Sequence, residues 1–266
     1  MTELTDRFRA LHDPAQPLLL PNPWDAGSAK LLESLGFRAL ATTSSGFAAT
    51  LGRLDGSVTR DEAIAHSALI VDATTLPVSA DLENGFADEP EGVAQTVRLA
   101  VDAGLAGCSV EDYTGRDDDP IYDAGLARER IAAAVEAAAG QIVLTARCEN
   151  YLHGRPDLAE TIARLKSFQE AGADVLYAPG LSELDDIRSL VESVDRPVNV
   201  LARPGAPSVA ELAQAGVSRV SVGGAFAFAA LGAVVDASRE LLDEGTYGFW
   251  DMGARGAEAA RAAFAG

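Results

Sequence analysis

Pro77-Val78-Ser79-Ala80-Asp81-Leu82-Glu83-Asn84-Gly85-Phe86 is the stretch on which the reading of this chain turns. A short, largely apolar run opens after proline and closes on two carboxylates and a glycine. A run of that length between turn residues reads as a buried strand. Alternation along a strand points Asp81 and Glu83 the same way, so both can face one site. The stretch that follows, Glu91–Ala103, spaces its apolar residues as a helix and runs into Gly104. Glycine accepts the left-handed conformation that closes a helix. Strand, polar end, helix and glycine make one unit.

Outward from there the unit repeats. Strands are expected at Pro17–Leu20, Ala39–Thr43, Pro77–Ala80, Gly107–Val110, Ile142–Ala146, Asp174–Tyr177, Pro197–Val200 and Arg219–Val222. Between them lie helical stretches: Ala26–Leu35, Arg60–Thr74, Glu91–Ala103, Leu126–Ala139, Leu158–Ala171, Ser182–Ser193, Val209–Ala215 and Ala225–Asp243. Gly36, Gly104, Gly172 and Gly216 stand where helices should end. Eight such units are the sequence form of a (β/α)8 barrel, an α/β fold of TIM type. A doubly wound open sheet is the alternative. No Pro/Gly/Ser-rich linker divides the chain, so residues 1–266 read as one domain with a short terminal helix within Thr246–Gly266.

With 48% hydrophobic and 23% charged residues the composition is that of a globular protein. The formal charge is -19, a field that repels nucleic acid and anionic membranes and argues against either as a partner. An anionic substrate would need local positive charge from a metal, an arginine or backbone N–H groups. Cys108 and Cys148 fit neither a disulfide framework nor a zinc site. No apolar run approaches the roughly 20 residues needed to span a bilayer. The charged segment Met1–Ala15 lacks the apolar core of a signal peptide. A cytoplasmic protein is expected.

The chemistry should gather where strands end, because in a parallel barrel those ends open on one face. Glu111 and Asp112 follow the fourth strand and fall beside Asp81 and Glu83. Hard oxygen donors without histidine favour Mg2+, or Mn2+, over zinc; the plainer alternative is helix caps or surface pairs. Arg147 ends the fifth strand, where a guanidinium can clamp a carboxylate or steady a developing oxyanion; a structural ion pair is the alternative. Thr43-Ser44-Ser45-Gly46 after the second strand could expose backbone N–H groups to an anion, and Gly223-Gly224 could do the same or form a tight turn. His12, His66 and His153 do not sit at strand ends, which argues against a histidine-bound metal or a Ser-His-Asp triad. Tyr113, Arg116 and Asp117–Asp119 follow Glu111 in a loop long enough to act as a lid.

Taken in order, Pro21-Asn22-Pro23-Trp24-Asp25-Ala26, Thr43-Ser44-Ser45-Gly46, Asp81-Leu82-Glu83-Asn84-Gly85, Val110-Glu111-Asp112 and Thr145-Ala146-Arg147 resemble the isocitrate lyase/phosphoenolpyruvate mutase superfamily. The resemblance covers nearly the whole chain. It implies a (β/α)8 barrel, often a homo-oligomer (dimer or tetramer), that binds Mg2+ and small anionic keto or hydroxy carboxylates. By position it makes Asp81, Glu83 and Glu111 the metal-site acids, mostly acting through coordinated waters. Ser44, Ser45 and Gly46 become the carboxylate-binding turn and Arg147 the substrate clamp. Asp55 falls where mutases carry a metal-site aspartate and is a catalytic candidate, while Trp24 and Asp25 of the first-strand motif and Asn199 in the seventh strand join the substrate-binding candidates.

The departures bear on the reaction. Where the cysteine lyases of this superfamily carry a loop with cysteine, histidine and lysine, this chain has Tyr113-Thr114-Gly115-Arg116-Asp117-Asp118-Asp119-Pro120. The loop lysine of phosphonopyruvate-handling members is absent too, with Arg116 as the substitute. The reading is therefore a Mg2+-dependent lyase that breaks a carbon–carbon bond in a small 2-hydroxy or 2-oxo acid, with Tyr113 or Glu149 as proton donor. The rivals are a phosphonopyruvate-type phosphomutase or hydrolase and a barrel that binds a keto acid without turning it over.

Overall fold

The structure is a computed structural model that describes residues 3–265; Met1, Thr2 and Gly266 lie outside the described residues. Eight parallel strands alternate with helices: β1 (Leu18–Leu20), β2 (Leu40–Ala41), β3 (Val78–Asp81), β4 (Gly107–Glu111), β5 (Val143–Arg147), β6 (Val175–Tyr177), β7 (Val198–Leu201) and β8 (Arg219–Ser221). They pair in the order β1-β8-β7-β6-β5-β4-β3-β2. The ring is drawn shut between β1 and β2 by Ala41 N–H donating to Pro21 O at 3.0 Å. Asn22 reinforces that seam: its Nδ2 donates to Thr42 O, while its Oδ1 accepts the N–H groups of Val222 and Gly223. One side chain thus ties the ends of β1, β2 and β8. The fold is the expected (β/α)8 barrel.

The helices follow the expected periodicity: α2 (Ala26–Ser34), α4 (Arg60–Asp72), α5 (Pro90–Asp102), α6 (Ala124–Ala138), α7 (Leu158–Glu170), α8 (Leu184–Ser193), α9 (Val209–Gln214) and α10 (Ala225–Arg239), which continues through a π-helical turn over Glu240–Glu244. Gly104 and Gly172, just past α5 and α7, take φ of +78° and +106°, the conformation for which glycine was expected there. The terminal helix is α11 (Trp250–Phe264). Two helices went unread. α1 (Glu3–Ala10) is short and highly charged, and α3 (Ser44–Thr50) is built from small residues that read as a turn.

Two apolar layers hold this arrangement. The outward faces of the strands, with residues such as Val110, Leu144 and Leu176, pack on Val97, Ile131 and Phe168 of the helices. Inside the barrel, Leu18, Ala39, Ala106, Val143 and Val175 close around Phe8 of α1, which enters from the end opposite the strand C-termini. Gly107 makes room for it, since a Cβ there would sit 2.5 Å from the Phe8 ring. The barrel has a stopper at one end and a polar mouth at the other. Among the described residues no helix is long and apolar enough to cross a membrane.

Candidate active site

At the mouth, Arg147 gathers three carboxylates. Its Nη1 meets Asp81 Oδ1 at 3.0 Å, its Nη2 meets Glu111 Oε2 at 2.9 Å, and its Nε meets Glu149 Oε1 at 2.9 Å. The register explains the convergence: Glu111 lies directly across from Arg147, and Asp81 ends the next strand over. The guanidinium also stands 5.3 Å from the Tyr177 ring. Burial works against its charge, but Glu111, Glu149 and Asp81 outweigh burial and raise its pKa well above the ordinary value.

Glu83 reaches the same place by an unexpected route. The strand stops at Asp81, and Glu83 adopts φ of +47°, a left-handed conformation costly for a residue with a side chain. Leu82, fully buried on the outer face, and Arg130, which donates to the carbonyls of Asn84, Ala87 and Asp88, hold the turn in place. Glu83 Oε1 is buried with no hydrogen-bond partner among the described residues. Burial, then Asp81 and Asp55, push its carboxyl up to about 8. Burial likewise raises Glu111 well above the carboxylate range, against the pull of Arg147. Four acids around one guanidinium leave negative charge unmet, the condition a hard cation relieves.

The Ser44–Gly46 turn is the first turn of α3. Thr43 caps it, its Oγ1 accepting Gly46 N–H at 3.3 Å, and Ser44 N–H donates to Asp81 Oδ2 at 3.3 Å. Ser44 and Ser45 line an inner cavity of about 220 Å3 together with Asp55, Asp81, Arg147 and Asn199. An outer cavity of about 600 Å3 shares Ser44, Asp55 and Arg147 and adds Glu83, Glu111, Glu149, Tyr113 and His153 to its walls. Tyr113 stacks on His153 with ring centroids 3.9 Å apart.

Some expected residues lie elsewhere. Asp25 is exposed and caps α2, its Oδ1 accepting Ser28 N–H at 2.6 Å, which corrects its reading as a substrate contact. Trp24, also expected to touch substrate, lines neither cavity; it lies behind Gly46, and its carbonyl accepts from His66 Nε2 at 3.0 Å. Gly46 is buried against Trp24 and Ala227 and does not line the cavities. The Gly223 amide donates to Asn22 Oδ1 and is not free to hold an anion. Arg116, the only cation in the loop after β4, is paired with Asp88 at 3.2 Å. Tyr177, Arg219 and Ser221 line the inner cavity and were missed. Their signal was available, because polar residues at alternate strand positions point inward.

The chain belongs to the phosphoenolpyruvate phosphomutase family, whose model matches residues 8–242, and thus to the isocitrate lyase/phosphoenolpyruvate mutase superfamily of carbon–carbon lyases and mutases. Three relatives frame it. A Burkholderia cenocepacia structure provisionally assigned as a lyase/mutase is 54% identical, with a TM-score of 0.90 over 92% of this chain and 90% of that one. The 2-methylisocitrate lyase of Escherichia coli is 31% identical over 200 residues, 72% of this chain and 67% of the relative. A 2,3-dimethylmalate lyase structure is 28% identical, with a TM-score of 0.84 over 93% of this chain and 90% of that one.

Proposed function

We propose that the chain is a Mg2+-dependent lyase that cleaves a carbon–carbon bond of a small 2-hydroxy or 2-oxo carboxylic acid by way of an enolate. The observation that carries this reading is Arg147 held by three acids at the mouth of a cavity rimmed by the start of α3. Among the described residues no three His, Cys, Asp or Glu side chains are arranged to grip a metal directly. A cation held by Asp81, Glu83 and Glu111 would therefore keep several waters, as magnesium ordinarily does. The buried, unpartnered Glu83 Oε1 and the surplus of carboxylates fit such an ion. When bound, it supplies Lewis-acid charge beside the substrate carboxylate.

The residues of the chain then divide the work. A guanidinium has five N–H donors, and three atoms of Arg147 already hold carboxylates. One hydrogen on each Nη remains for the substrate. In a 2-hydroxy acid the hydroxyl proton passes to Glu149 and a carbonyl forms. The electrons of the breaking carbon–carbon bond move onto the departing fragment as an enolate, which the fixed charge of Arg147 steadies. Tyr113 returns a proton to the enolate carbon. Burial and then the charges of Asp117 and Glu111 raise its pKa, keeping it protonated until needed. Glu149, buried and bonded to Arg147 Nε, suits the donor role less.

The family model bears the name of a phosphomutase. Against that reaction stands Arg116, which is engaged with Asp88 on the surface. We also propose that the protein works as a homo-oligomer, because α10 buries only Ala227 and, with α11, exposes Phe228, Leu231, Val234, Leu242 and Trp250. The test of the reaction is calorimetric titration of oxalate, an enolate-like dianion. Binding with Mg2+ and none without it is expected, followed by keto-acid release from C4 to C7 hydroxy acids. Absence of binding in both conditions overturns the assignment.

A further inference from the structure

The inner cavity holds a second cation that the proposed reaction does not use. Arg147 is paired across the sheet with Tyr177, Tyr177 with Asn199, and Asn199 with Arg219. Neighbouring strands lie about 4.8 Å apart and barrel strands tilt by about 36°, so three steps along this row descend roughly 8 Å from the mouth. Arg219 is at the floor.

Its surroundings differ from those of Arg147. Arg219 is 4% exposed and lines the inner cavity with Asn199 and Ser221. Its Nε donates to Asn199 Oδ1 at 2.9 Å and its Nη1 to His12 Nε2 at 3.2 Å. Both partners are uncharged: burial and then Arg219 itself hold His12 neutral, with its pKa down at about 3. Among the described residues Nη2 has no hydrogen-bond partner, and no carboxylate lies within ion-pair distance of this guanidinium. A buried charge without a counter-charge is costly, and burial accordingly brings Arg219 down to about 10. Asn199 fixes the aim of the guanidinium, its Nδ2 anchored on Ser221 Oγ at 3.0 Å.

We infer that Arg219, aimed by Asn199, forms a second anion site at the floor of the inner cavity and takes one carboxylate-sized anion. The site rests on the proposed function only for the source of that anion. It is either the far carboxylate of the acid held at the mouth or a separate small anion bound beneath it.

The test is calorimetric titration of the full chain with Mg2+ present. 2-Oxobutyrate and 2-oxoglutarate share a keto-acid head and differ in a second carboxylate. Binding of the diacid roughly tenfold tighter or more is expected for a charge-assisted contact. That preference should vanish in Arg219→Met and survive in part in Arg219→Lys. Should wild-type protein show no such preference but bind formate saturably alongside 2-oxobutyrate, and lose formate in Arg219→Met, the anion comes separately and the site stands. A diacid preference unchanged in Arg219→Met overturns it, as does wild-type protein with neither preference nor formate binding. If circular dichroism shows Arg219→Met unfolded, Arg219→Lys and the wild-type formate titration decide. Oxalate binding that requires Mg2+ and persists in Arg219→Met reads the mouth. Its failure beside intact formate binding sinks the lyase reading and leaves the floor site in place.

Discussion

Arg147 serves two demands with one side chain: it balances three buried carboxylates and keeps N–H groups for a ligand. A lysine carries the charge but lacks the planar fork. Arg147→Lys should therefore lower turnover by roughly 10^2 to 10^3 through lost stabilisation of the developing oxyanion. Near-normal kcat in that variant counts against the mechanism. Tyr113→Phe removes the hydroxyl proposed as proton donor and leaves the ring that stacks on His153. It should cut kcat by roughly 10^2 while oxalate affinity stays within a factor of about two. Equal losses in both would assign Tyr113 to binding. At this scale the sequence was legible for Asp81, Glu111 and Arg147, because strand ends of a barrel meet at one face. Asp25 was misread because an aspartate before a helix serves equally well as a cap. Glu83 was placed near its neighbours, but through a positive φ that no spacing argument contains.

Among the elements, α1 does much in eight residues. Phe8 fills the barrel end, and His12, just past the helix, donates from Nδ1 to Phe8 O and accepts from Arg219 at Nε2. That neutral tautomer makes the stopper sensitive to acid. The folded pKa of about 3 lies below the ordinary value of 6.5, so between them the unfolded chain binds more protons. Stability is full above about pH 6.5 and falls as the pH drops towards 3. Urea melts at pH 7 and pH 5 should show a fall that His12→Gln reduces; an equal fall in both proteins would clear His12 of the effect. The eight strands were legible to within one or two residues at their ends, since burial on both faces writes short apolar runs. The two unread helices lacked that writing. α1 is short and charged, with only Thr5 and Phe8 buried, and α3 is seven residues of mostly small side chains.

Over the whole molecule, charge and apolar surface pull in opposite directions. A charge of -19 pushes copies apart, while the exposed face of α10 and α11 favours bringing them together. Screening removes the first effect and leaves the second. Light scattering after gel filtration should show a dimer or tetramer that tightens as salt is raised, and Val234→Glu should weaken it. A monomer at all salt concentrations would refute the assembly. The stopper has a kinetic counterpart. With Phe8 closing one end, traffic through the inner cavity is last in, first out. Of the two fragments the proposed lyase reaction makes, the one nearer the mouth must leave first, and the deeper one is stranded until it has gone. Product inhibition should therefore be competitive for the deep fragment alone and noncompetitive for the other. Competitive patterns for both would mean that a second door opens during turnover.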